Sequence, residues 1–414
     1  MADHSHLPPQ DWIDAAPTRA VIAALEAAGG ADCARFVGGC VRDALLGRTR
    51  ADQDIDIATR LTPEETTAAL KRAGLRAIPT GVEHGTITAI ADHRPFEITT
   101  LRRDVETDGR RAVVAFTQDW NEDAARRDFR LNALYAEADG RLHDPTGGGI
   151  ADALAGRIVF VGEPEIRIRE DYLRILRFFR FHAWYGQGEP DAAALAACAA
   201  LATGLESLSG ERIAKELLKL LAAPDPGSSV KLMAETGLLE TLLPGADVTR
   251  LDALLALEDT ASLDPDAELR LSALLPPVKD MVTEVSKRLR LANVLKTRLL
   301  NAVDPWAEEL TDQGARRAVY ALRPQAAADR LRLAWSAAPL EPAWPSLWSE
   351  TQTWRPPAFP ITGEDIKAHG LVEGLEIGRI RRIVEDWWIA ADFPADRTRA
   401  LEALDAAVKA DAAS

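Results

Sequence analysis

A glycine turn followed closely by two alternating aspartates constrains the fold of this chain more than any other stretch. Residues 35–37 predict the end of a strand, and residues 40–46 have the apolar spacing of a helix. Gly38 and Gly39 lie between them, where the missing Cβ lets the backbone turn tightly and approach a ligand closely. Free N–H groups at the start of a helix favour a phosphate, and Arg42 adds positive charge one turn into this helix. We therefore predict a phosphate site formed by Gly38, Gly39 and Arg42.

The aspartates that follow predict a metal site on the edge of a strand. Asp54 and Asp56 alternate with Ile55 and Ile57. Residues two apart in a strand share a face, so both carboxylates should point to one side and both isoleucines into the core. Carboxylates combined with substrate phosphates are the usual ligands of Mg²⁺. The alternative is a structural glycine turn beside a solvated acidic edge, but the short distance between the two motifs favours a ligand site.

A third carboxylate is predicted on a neighbouring strand. Residues 85–91 and 95–101 are rich in β-branched residues, alternate in polarity and are joined by a turn at 92–94, which predicts a β-hairpin. Glu97 should face away from the apolar residues on either side of it. It is a candidate to complete a carboxylate triad with Asp54 and Asp56. The alternative for a single strand glutamate is a solvated side chain.

Three more segments complete the first third of the chain. Residues 62–73 predict a helix that begins with a capping box formed by Thr62 and Glu65. Residues 102–111 are strongly charged and lack periodicity, so we predict a mobile loop. Residues 120–136 predict a helix that carries the run Arg-Arg-Asp-Phe-Arg-Leu-Asn-Ala. Taken alone, that run is typical of a salt-bridged helix surface.

A second polar cluster follows in residues 169–181. Asp171, Arg174, Arg177 and Arg180 recur at every third position. On a helix this step drifts by only about 60° each time, so the four side chains should form one polar ridge. An acceptor and a five-donor fork at i and i+3 can hydrogen-bond the Watson–Crick edge of a base. The alternative is an ordinary i, i+3 ion pair.

Composition limits the function classes and the organisation of the chain. A chain of 414 residues suggests two to four domains, and from residue 150 onward the pattern predicts helices almost throughout. No uncharged apolar run reaches 18 residues, which predicts no membrane span. Three widely spaced cysteines suggest a reducing cytoplasm rather than a disulfide framework. The net charge of −15 argues against non-specific nucleic-acid binding over the whole surface and leaves room for a local basic groove.

The order of these motifs resembles a known enzyme family. The glycine turn with Asp54-Ile-Asp56, the Arg126–Ala133 run, the connector Leu142–Gly149 and the 169–181 cluster are similar to motifs of the class II tRNA nucleotidyltransferase and bacterial poly(A) polymerase family, within the polymerase-β superfamily. The resemblance covers roughly residues 33–245. It implies an α+β chain with a small catalytic head containing a mixed sheet, followed by helical regions. The expected divisions are a head at 1–149, a neck with the base-reading helix at 150–210, a body at 211–335 and a tRNA-binding tail at 336–414.

The resemblance also implies a role for each candidate residue. Asp54 and Asp56 would bind two Mg²⁺ ions, with Glu97 assisting. The other candidates would contact phosphate, sugar, base or RNA; they are Gly38, Gly39, Arg42, Arg127, Asn132, Asp171, Arg174, Arg177 and Arg180.

Within that set, the resemblance implies a separate task for each side chain, and the chemistry of the side chain fits that task. The Arg127 guanidinium would neutralise triphosphate charge, and the Asn132 amide would hold the nucleotide sugar. Asp171 and Arg174 would read the incoming base without a template. Arg177 and Arg180 would contact phosphates or the RNA.

A further implication of the resemblance concerns the segment between the hairpin and the second motif. A flexible loop at 102–111 would help to organise nucleotide selection, with Arg102, Asp104 and Arg110 as candidates.

The function that these expectations favour is template-independent addition of CMP, CMP and AMP to the 3′ end of tRNA from CTP and ATP. A poly(A) polymerase is the nearest alternative, but its relatives carry a basic run where this chain has Gly81–Thr86, and they tend to end in a basic tail. A-only and CC-only adding enzymes share every motif named above. A catalytically inert RNA-binding protein is an alternative from another class, and the intact Asp54 and Asp56 argue against it.

Overall fold

The computed structural model describes residues 4–50, 53–108, 111–371 and 374–412. The loop candidate Arg110 lies outside these ranges. The chain forms two compact units, Met1–Pro244 and Gly245–Ser414. The finer division into head, neck, body and tail stays a prediction.

The first unit contains a mixed sheet whose strand order is β3-β4-β5-β2-β1-β8-β9, and a separate pair, β6-β7. In the larger sheet β2 and β5 are parallel, whereas the other neighbouring strands are antiparallel. The strands are β1 Ala34–Val37, β2 Asp56–Thr59, β3 Arg76–Gly81, β4 Thr86–Ala91, β5 Arg94–Thr100, β6 Arg102–Asp108, β7 Arg111–Phe116, β8 Tyr135–Ala136 and β9 Leu142–His143.

Helices precede, interrupt and follow this sheet. In the first unit they are α1 Asp11–Asp14, α2 Ala16–Gly29, α3 Gly39–Leu45, α4 Pro63–Arg72, α5 Trp120–Ala125, α6 Gly149–Leu154, α7 Pro164–Glu170, α8 Leu173–Tyr185, α9 Ala192–Ala200, α10 Gly210–Leu221, α11 Gly227–Glu235 and α12 Leu238–Leu242. Short 3₁₀ segments occur at Val82–His84, Arg130–Asn132 and Ala202–Ser207.

The second unit is helical in all its described elements. These are α13 Val248–Thr260, α14 Ala267–Leu274, α15 Lys279–Arg288, α16 Asn293–Asn301, α17 Asp312–Leu322, α18 Pro324–Ala337, α19 Trp344–Thr353, α20 Gly363–Lys367, α21 Gly374–Ala390 and α22 Arg397–Ala412. The predicted α+β class, with an N-terminal mixed sheet followed by helices, is therefore confirmed.

Local sequence explains several of these elements. The Thr62 side chain accepts a hydrogen bond from the Glu65 N–H, and the Glu65 carboxylate accepts one from the Thr62 N–H, so the predicted capping box at α4 is formed. The predicted hairpin is also present, because β4 and β5 pair in antiparallel register through Thr86 opposite Thr99 and Ala91 opposite Arg94.

Two predicted elements were wrong. The expected loop at 102–111 is largely the β6-β7 pair, whose register runs from Arg102 opposite Phe116 to Asp108 opposite Arg111. The expected helix over 120–136 ends at Ala125. Residues 128–130, which the prediction placed in the helix, instead pair with residues 159–161. The Arg130 N–H donates to the Val159 carbonyl, and the Val161 N–H donates to the Asp128 carbonyl.

The predicted four-residue ridge is also interrupted. Asp171 lies between α7 and α8 in an extended conformation, with φ −154°, and is therefore not on the helix that carries Arg174, Arg177 and Arg180. Its carboxylate accepts the Leu173 N–H at 3.1 Å, an arrangement that suits the start of a helix rather than its interior.

A buried histidine joins α8 to α11. His182 is 8% exposed, and its Nδ1 lies 2.8 Å from the Ser229 hydroxyl. Burial lowers the pKa of His182, and the charge of Glu189 opposes this only in part. Between the lowered pKa and the ordinary value near 6.5, the unfolded chain binds more protons than the folded one.

We therefore expect acid to destabilise the native protein through His182. The stability advantage of the native protein over His182→Asn should be complete above about pH 6.5 and should shrink as the pH falls below it. Urea unfolding midpoints at pH 8.0, 7.0, 6.0 and 5.5 would measure the difference. A difference that stays constant over this range would contradict a neutral buried imidazole.

Candidate active site

The glycine turn has the geometry that its sequence predicts. Gly38 follows β1 with φ +74° and ψ −125°, and α3 begins at the next residue. Only glycine adopts this backbone conformation without strain. A Cβ built on Gly38 would lie 3.9 Å from Arg127 Nη1. The turn therefore has space beside it, and a guanidinium borders that space.

Substituting Gly38 tests the backbone of this turn. We expect Gly38→Ala to lower the free energy of unfolding by about 1–3 kcal/mol, because alanine strains at this φ while its methyl group meets no atom closer than 3.9 Å. The matched substitution Gly363→Ala introduces a methyl group into open space at a helix N-terminus without a positive φ, and should change stability little. Chemical denaturation of both variants would measure the two effects, and equal stability would contradict strain at Gly38.

The three candidate carboxylates lie close together where β2 begins. Asp56 begins β2 and Asp54 immediately precedes it. The parallel register places Asp56 beside Glu97 of β5, so the two side chains share a face. Ile55 and Ile57 are fully buried, whereas Asp54 and Glu97 are exposed and Asp56 is partly exposed. The predicted arrangement of isoleucines inside and aspartates outside is therefore present.

The carboxylate end of β2 also lies next to the glycine turn. The antiparallel register pairs Phe36 of β1 with Ile57, so the end of β1 that leads into the Gly38 turn lies beside the start of β2 at Asp56. The Cys40 thiol lies 3.8 Å from the Asp56 carbonyl oxygen, across the same junction. Arg127, which borders Gly38, is close enough for its positive charge to lower the pKa of Asp56.

The electrostatics of this cluster fit a divalent cation. Burial raises the pKa of Asp56 to about 6, with further contributions from the negative charges of Glu97 and Asp54, and Arg127 opposes the rise. Within residues 4–50, 53–108, 111–371 and 374–412, no salt bridge engages any of these three carboxylates. The same ranges contain no group of three His, Cys, Asp or Glu side chains already placed to hold a metal ion. Mg²⁺ in proteins is usually coordinated by one or two carboxylates together with substrate phosphates and water, and this cluster could supply the carboxylates.

Arg127 is held beside the turn by a buried carboxylate. Asp123 of α5 is 1% exposed and accepts from Arg127 Nη2 at 2.9 Å. It also accepts from Arg126 and from the hydroxyl of Tyr135. Burial alone would raise the pKa of Asp123, but the charges of Arg127 and Arg126 outweigh it and lower the pKa to about 2.

Arg42 and Asn132 belong to a second network. Arg42 is 6% exposed and donates through Nη1 to Asn132 Oδ1 and through Nη2 to the Tyr185 hydroxyl, both at 2.6 Å. The Asn132 amide donates to Asp128 at 3.1 Å. Arg177 Nε donates to the same Asp128 carboxylate at 2.8 Å. The structure thus brings Arg42, Asn132 and Arg177 together around Asp128.

The remaining candidates have separate partners. Arg174 Nη1 donates to Glu170 at 2.5 Å, and its guanidinium also reaches the Arg167 and Arg126 carbonyls. Asp171 instead pairs with Arg212 of α10 at 2.9 Å. Arg180 pairs with Glu216 of α10 at 2.7 Å. Asp171 and Arg174 are only three residues apart in the chain, but their side chains bind different partners.

Sequence reasoning missed four residues that hold candidate side chains in place, namely Asp123, Asp128, Arg212 and Glu216. Asp123 precedes Arg127 by four residues, a helical spacing that could have indicated the pair. Asp128 lies within the Arg126–Ala133 run, but nothing in that run indicates which side chains it binds. Arg212 and Glu216 are 41 and 36 residues from their partners, and no local spacing indicates such pairs.

Comparisons with known proteins agree with this fold. Residues 34–159 match the model of the poly A polymerase head domain, which defines a nucleotidyltransferase head. Residues 189–249 match a model described as the probable RNA and SrmB-binding site of polymerase A. The described part of the chain contains no helix long and apolar enough to cross a membrane.

Whole-chain relatives then specify the family. The mitochondrial CCA tRNA nucleotidyltransferase 1 of Danio rerio is 36% identical over 392 residues, covering 89% of this chain and 86% of that protein. Its Homo sapiens counterpart is 35% identical over 89% of this chain and 85% of that protein. The CCA-adding enzyme of Streptococcus gordonii is 42% identical over 50% of this chain and 51% of that enzyme. This chain belongs to the CCA tRNA nucleotidyltransferase family.

A solved structure shows the same overall fold. The CCA-adding enzyme of Bacillus stearothermophilus in complex with CTP superposes with a TM-score of 0.71 at 22% identity, covering 97% of this chain and 100% of that one. The nucleotidyltransferase family uses divalent metal ions in general.

Proposed function

We propose that this protein adds CMP, CMP and AMP to the 3′ end of tRNA from CTP and ATP and releases pyrophosphate at each step. The observation that carries the proposal is the pair Asp54 and Asp56, which lie beside the Gly38 turn on the exposed side of β2 without a salt bridge in the described chain. Family membership supports the same reaction.

The proposed site assigns metal binding to Asp54 and Asp56, with Glu97 assisting from the adjacent strand. Bound Mg²⁺ would activate the RNA 3′-hydroxyl and stabilise charge on the departing pyrophosphate. The N–H groups at the start of α3 and the Arg127 guanidinium would bind and orient the triphosphate. Positive charge already fixed at that position needs no reorganisation during the reaction.

Base selection would occur on the neck helix. Arg174 is held by Glu170 and by two backbone carbonyls, so its guanidinium has a fixed orientation. Asp171 is partly exposed and would exchange its contact with Arg212 for one with the base. Arg42 and Asn132, which belong to the network around Asp128, would contact the nucleotide. Arg177 and Arg180 would contact phosphates or RNA. Residues 336–414 would bind tRNA.

The proposal has a direct biochemical test. Purified protein is incubated with tRNA that lacks its last three nucleotides, with CTP alone, ATP alone and both. We expect two nucleotides added with CTP alone and three with both. Long A-tails on any RNA would indicate a poly(A) polymerase, addition of only C or only A would indicate one of the split activities, and binding without extension would indicate an inert RNA-binding protein.

Arg174 provides a test of base selection. We expect Arg174→Ala to reduce the preference between CTP and ATP at each position by about 10-fold or more, since a lost bidentate contact removes roughly 1–3 kcal/mol of discrimination. Total incorporation should fall less than selectivity. Misincorporation at each step would be measured by sequencing the product ends.

A neighbouring arginine is the control for that variant. Arg169 pairs with Glu165 at 2.9 Å on the exposed surface of α7, and Arg169→Ala should leave selectivity unchanged. A slow Arg174→Ala enzyme that still chooses CTP and ATP correctly would contradict base reading by this residue.

The cytoplasmic location stays a prediction from the sequence. The four-part division into head, neck, body and tail belongs to this proposal as well.

A further inference from the structure

One buried carboxylate gathers an unusual number of donors beside the proposed triphosphate site. Asp123 accepts from Arg126 Nε and Nη2 at 2.8 and 2.6 Å, and from Arg127 Nε and Nη2 at 3.2 and 2.9 Å. The Tyr135 hydroxyl donates at 2.7 Å, and the Arg102 N–H at the start of β6 donates at 3.3 Å. Asp123 therefore joins α5, β6 and β8 at a position that solvent does not reach.

These contacts determine which way Arg127 points. The carboxylate uses Nε and Nη2, which form one edge of the guanidinium, and the Tyr135 hydroxyl accepts from Nε at 3.2 Å. The remaining nitrogen, Nη1, is directed toward the Gly38 turn, 3.9 Å from where a Cβ would stand. Two arginines share one carboxylate, so the cluster keeps an excess positive charge next to the turn.

We infer that Asp123 is the positioning residue for triphosphate binding, acting through Arg127 with the help of the Tyr135 hydroxyl. This inference rests on the proposed function and adds a residue to it. A free arginine side chain must lose rotamer entropy when it binds an anion. Asp123 imposes that cost during folding, so Arg127 meets the triphosphate already oriented.

The mechanism predicts a specific kinetic signature. In Asp123→Asn, we expect KM for CTP and for ATP to rise by the same factor, about 10- to 100-fold, by analogy with the loss of a hydrogen-bond partner that orients a metal ligand. The inhibition constant of added inorganic pyrophosphate should rise in parallel, because pyrophosphate contains no base or sugar. The ratio of CTP to ATP incorporation should stay unchanged.

A double-mutant cycle separates positioning from general damage to the fold. If Asp123 acts through Arg127, Asp123→Asn should add less than a 2-fold effect in an Arg127→Ala background, a limit within the usual additivity error. Independent, fully additive effects on KM would overturn the inference. An unchanged KM and pyrophosphate inhibition constant in Asp123→Asn would overturn it as well.

Two further variants keep the test decisive. Asp152 is a second buried carboxylate of the first unit, 2% exposed and paired with Arg157 at 2.8 Å, and Asp152→Asn should leave KM unchanged. If Asp123→Asn does not fold, Tyr135→Phe is the variant that tests the positioning role. It removes one hydroxyl, and we expect a rise of a few-fold in KM that disappears in the Arg127→Ala background. A Tyr135→Phe enzyme with native KM would then overturn the inference.

The proposed function is tested separately, by the activity of the native protein. If the native protein extends no tRNA, the proposed function fails before any variant is compared. If the native protein extends tRNA and Asp123→Asn behaves like it, only the positioning role fails.

Discussion

Replacing either Asp54 or Asp56 with alanine is expected to abolish nucleotide transfer, with losses of about 10³-fold or more. A metal ion that stabilises both the attacking and the leaving oxygen supplies several kcal/mol to the transition state, and each 1.36 kcal/mol corresponds to a factor of ten in rate. Binding of tRNA should stay close to native, because these carboxylates attract metal rather than RNA. Extension assays and filter binding on the same preparations would measure both properties.

The control for these variants is an aspartate with an ordinary surface environment. Asp14 pairs with Arg19 at 2.5 Å, and both side chains are about two-thirds exposed, at 67% and 66%. Asp14→Ala should retain full transfer. Native turnover in Asp54→Ala or Asp56→Ala would refute the metal assignment, and loss of tRNA binding together with transfer would indicate a damaged fold.

The largest expected effect on stability lies in the second unit. Glu258, Arg270 and Arg332 are 5%, 1% and 6% exposed. Glu258 accepts from Arg270 Nε at 2.8 Å and from Arg332 Nη2 at 2.7 Å. Glu258→Ala would leave two buried guanidinium groups without this carboxylate, and removal of one partner of a buried pair typically costs about 3–5 kcal/mol.

Tryptophan fluorescence provides the measurement for this variant. Seven of the ten tryptophans lie in the Gly245–Ser414 unit, so the fluorescence change on urea unfolding reports mainly on it. The control is Glu268→Ala, because Glu268 is 41% exposed and its partner Arg298 also pairs with Asp266 and Asp329, so we expect a loss of at most about 1 kcal/mol. Equal midpoints for the two variants would contradict an essential buried carboxylate.

Much of the first unit could be predicted from local sequence. The capping box at Thr62, the hairpin of β4 and β5, and the turn at Gly38 depend on residues within a few positions of one another. The alternation of isoleucine and aspartate likewise fixed which side chains of 54–57 are buried. In each case, the feature is formed by the same neighbouring residues that predict it.

The errors arose where distant segments compete with local propensity. Residues 128–130 have a helical pattern but pair with residues 159–161, and those hydrogen bonds replace the ones that a continued helix would form. The charged segment at 102–108 lacks periodicity, yet it pairs along its length with 111–116. Helix spacing predicted that Asp171 would lie beside Arg174, whereas the chain turns at Asp171 before α8 begins.

The candidate site was predictable in its residue types but not in its supporting partners. Asp54, Asp56 and Glu97 could be assigned to one face because strand parity and strand pairing determine it. Asp123, Asp128 and Glu216 could not be assigned, because the partner of a buried arginine depends on which helix packs against it. Their contacts explain why the arginines near the site are fixed rather than free.

The most direct test of the metal assignment is anomalous diffraction from crystals grown with Mn²⁺ and a non-reactive CTP analogue. We expect an anomalous peak about 2 Å from carboxylate oxygens of both Asp54 and Asp56, with analogue phosphate oxygens completing the coordination next to the Gly38 turn. A bound analogue whose Mn²⁺ lies elsewhere, with Asp54 and Asp56 uncoordinated, would contradict the assignment.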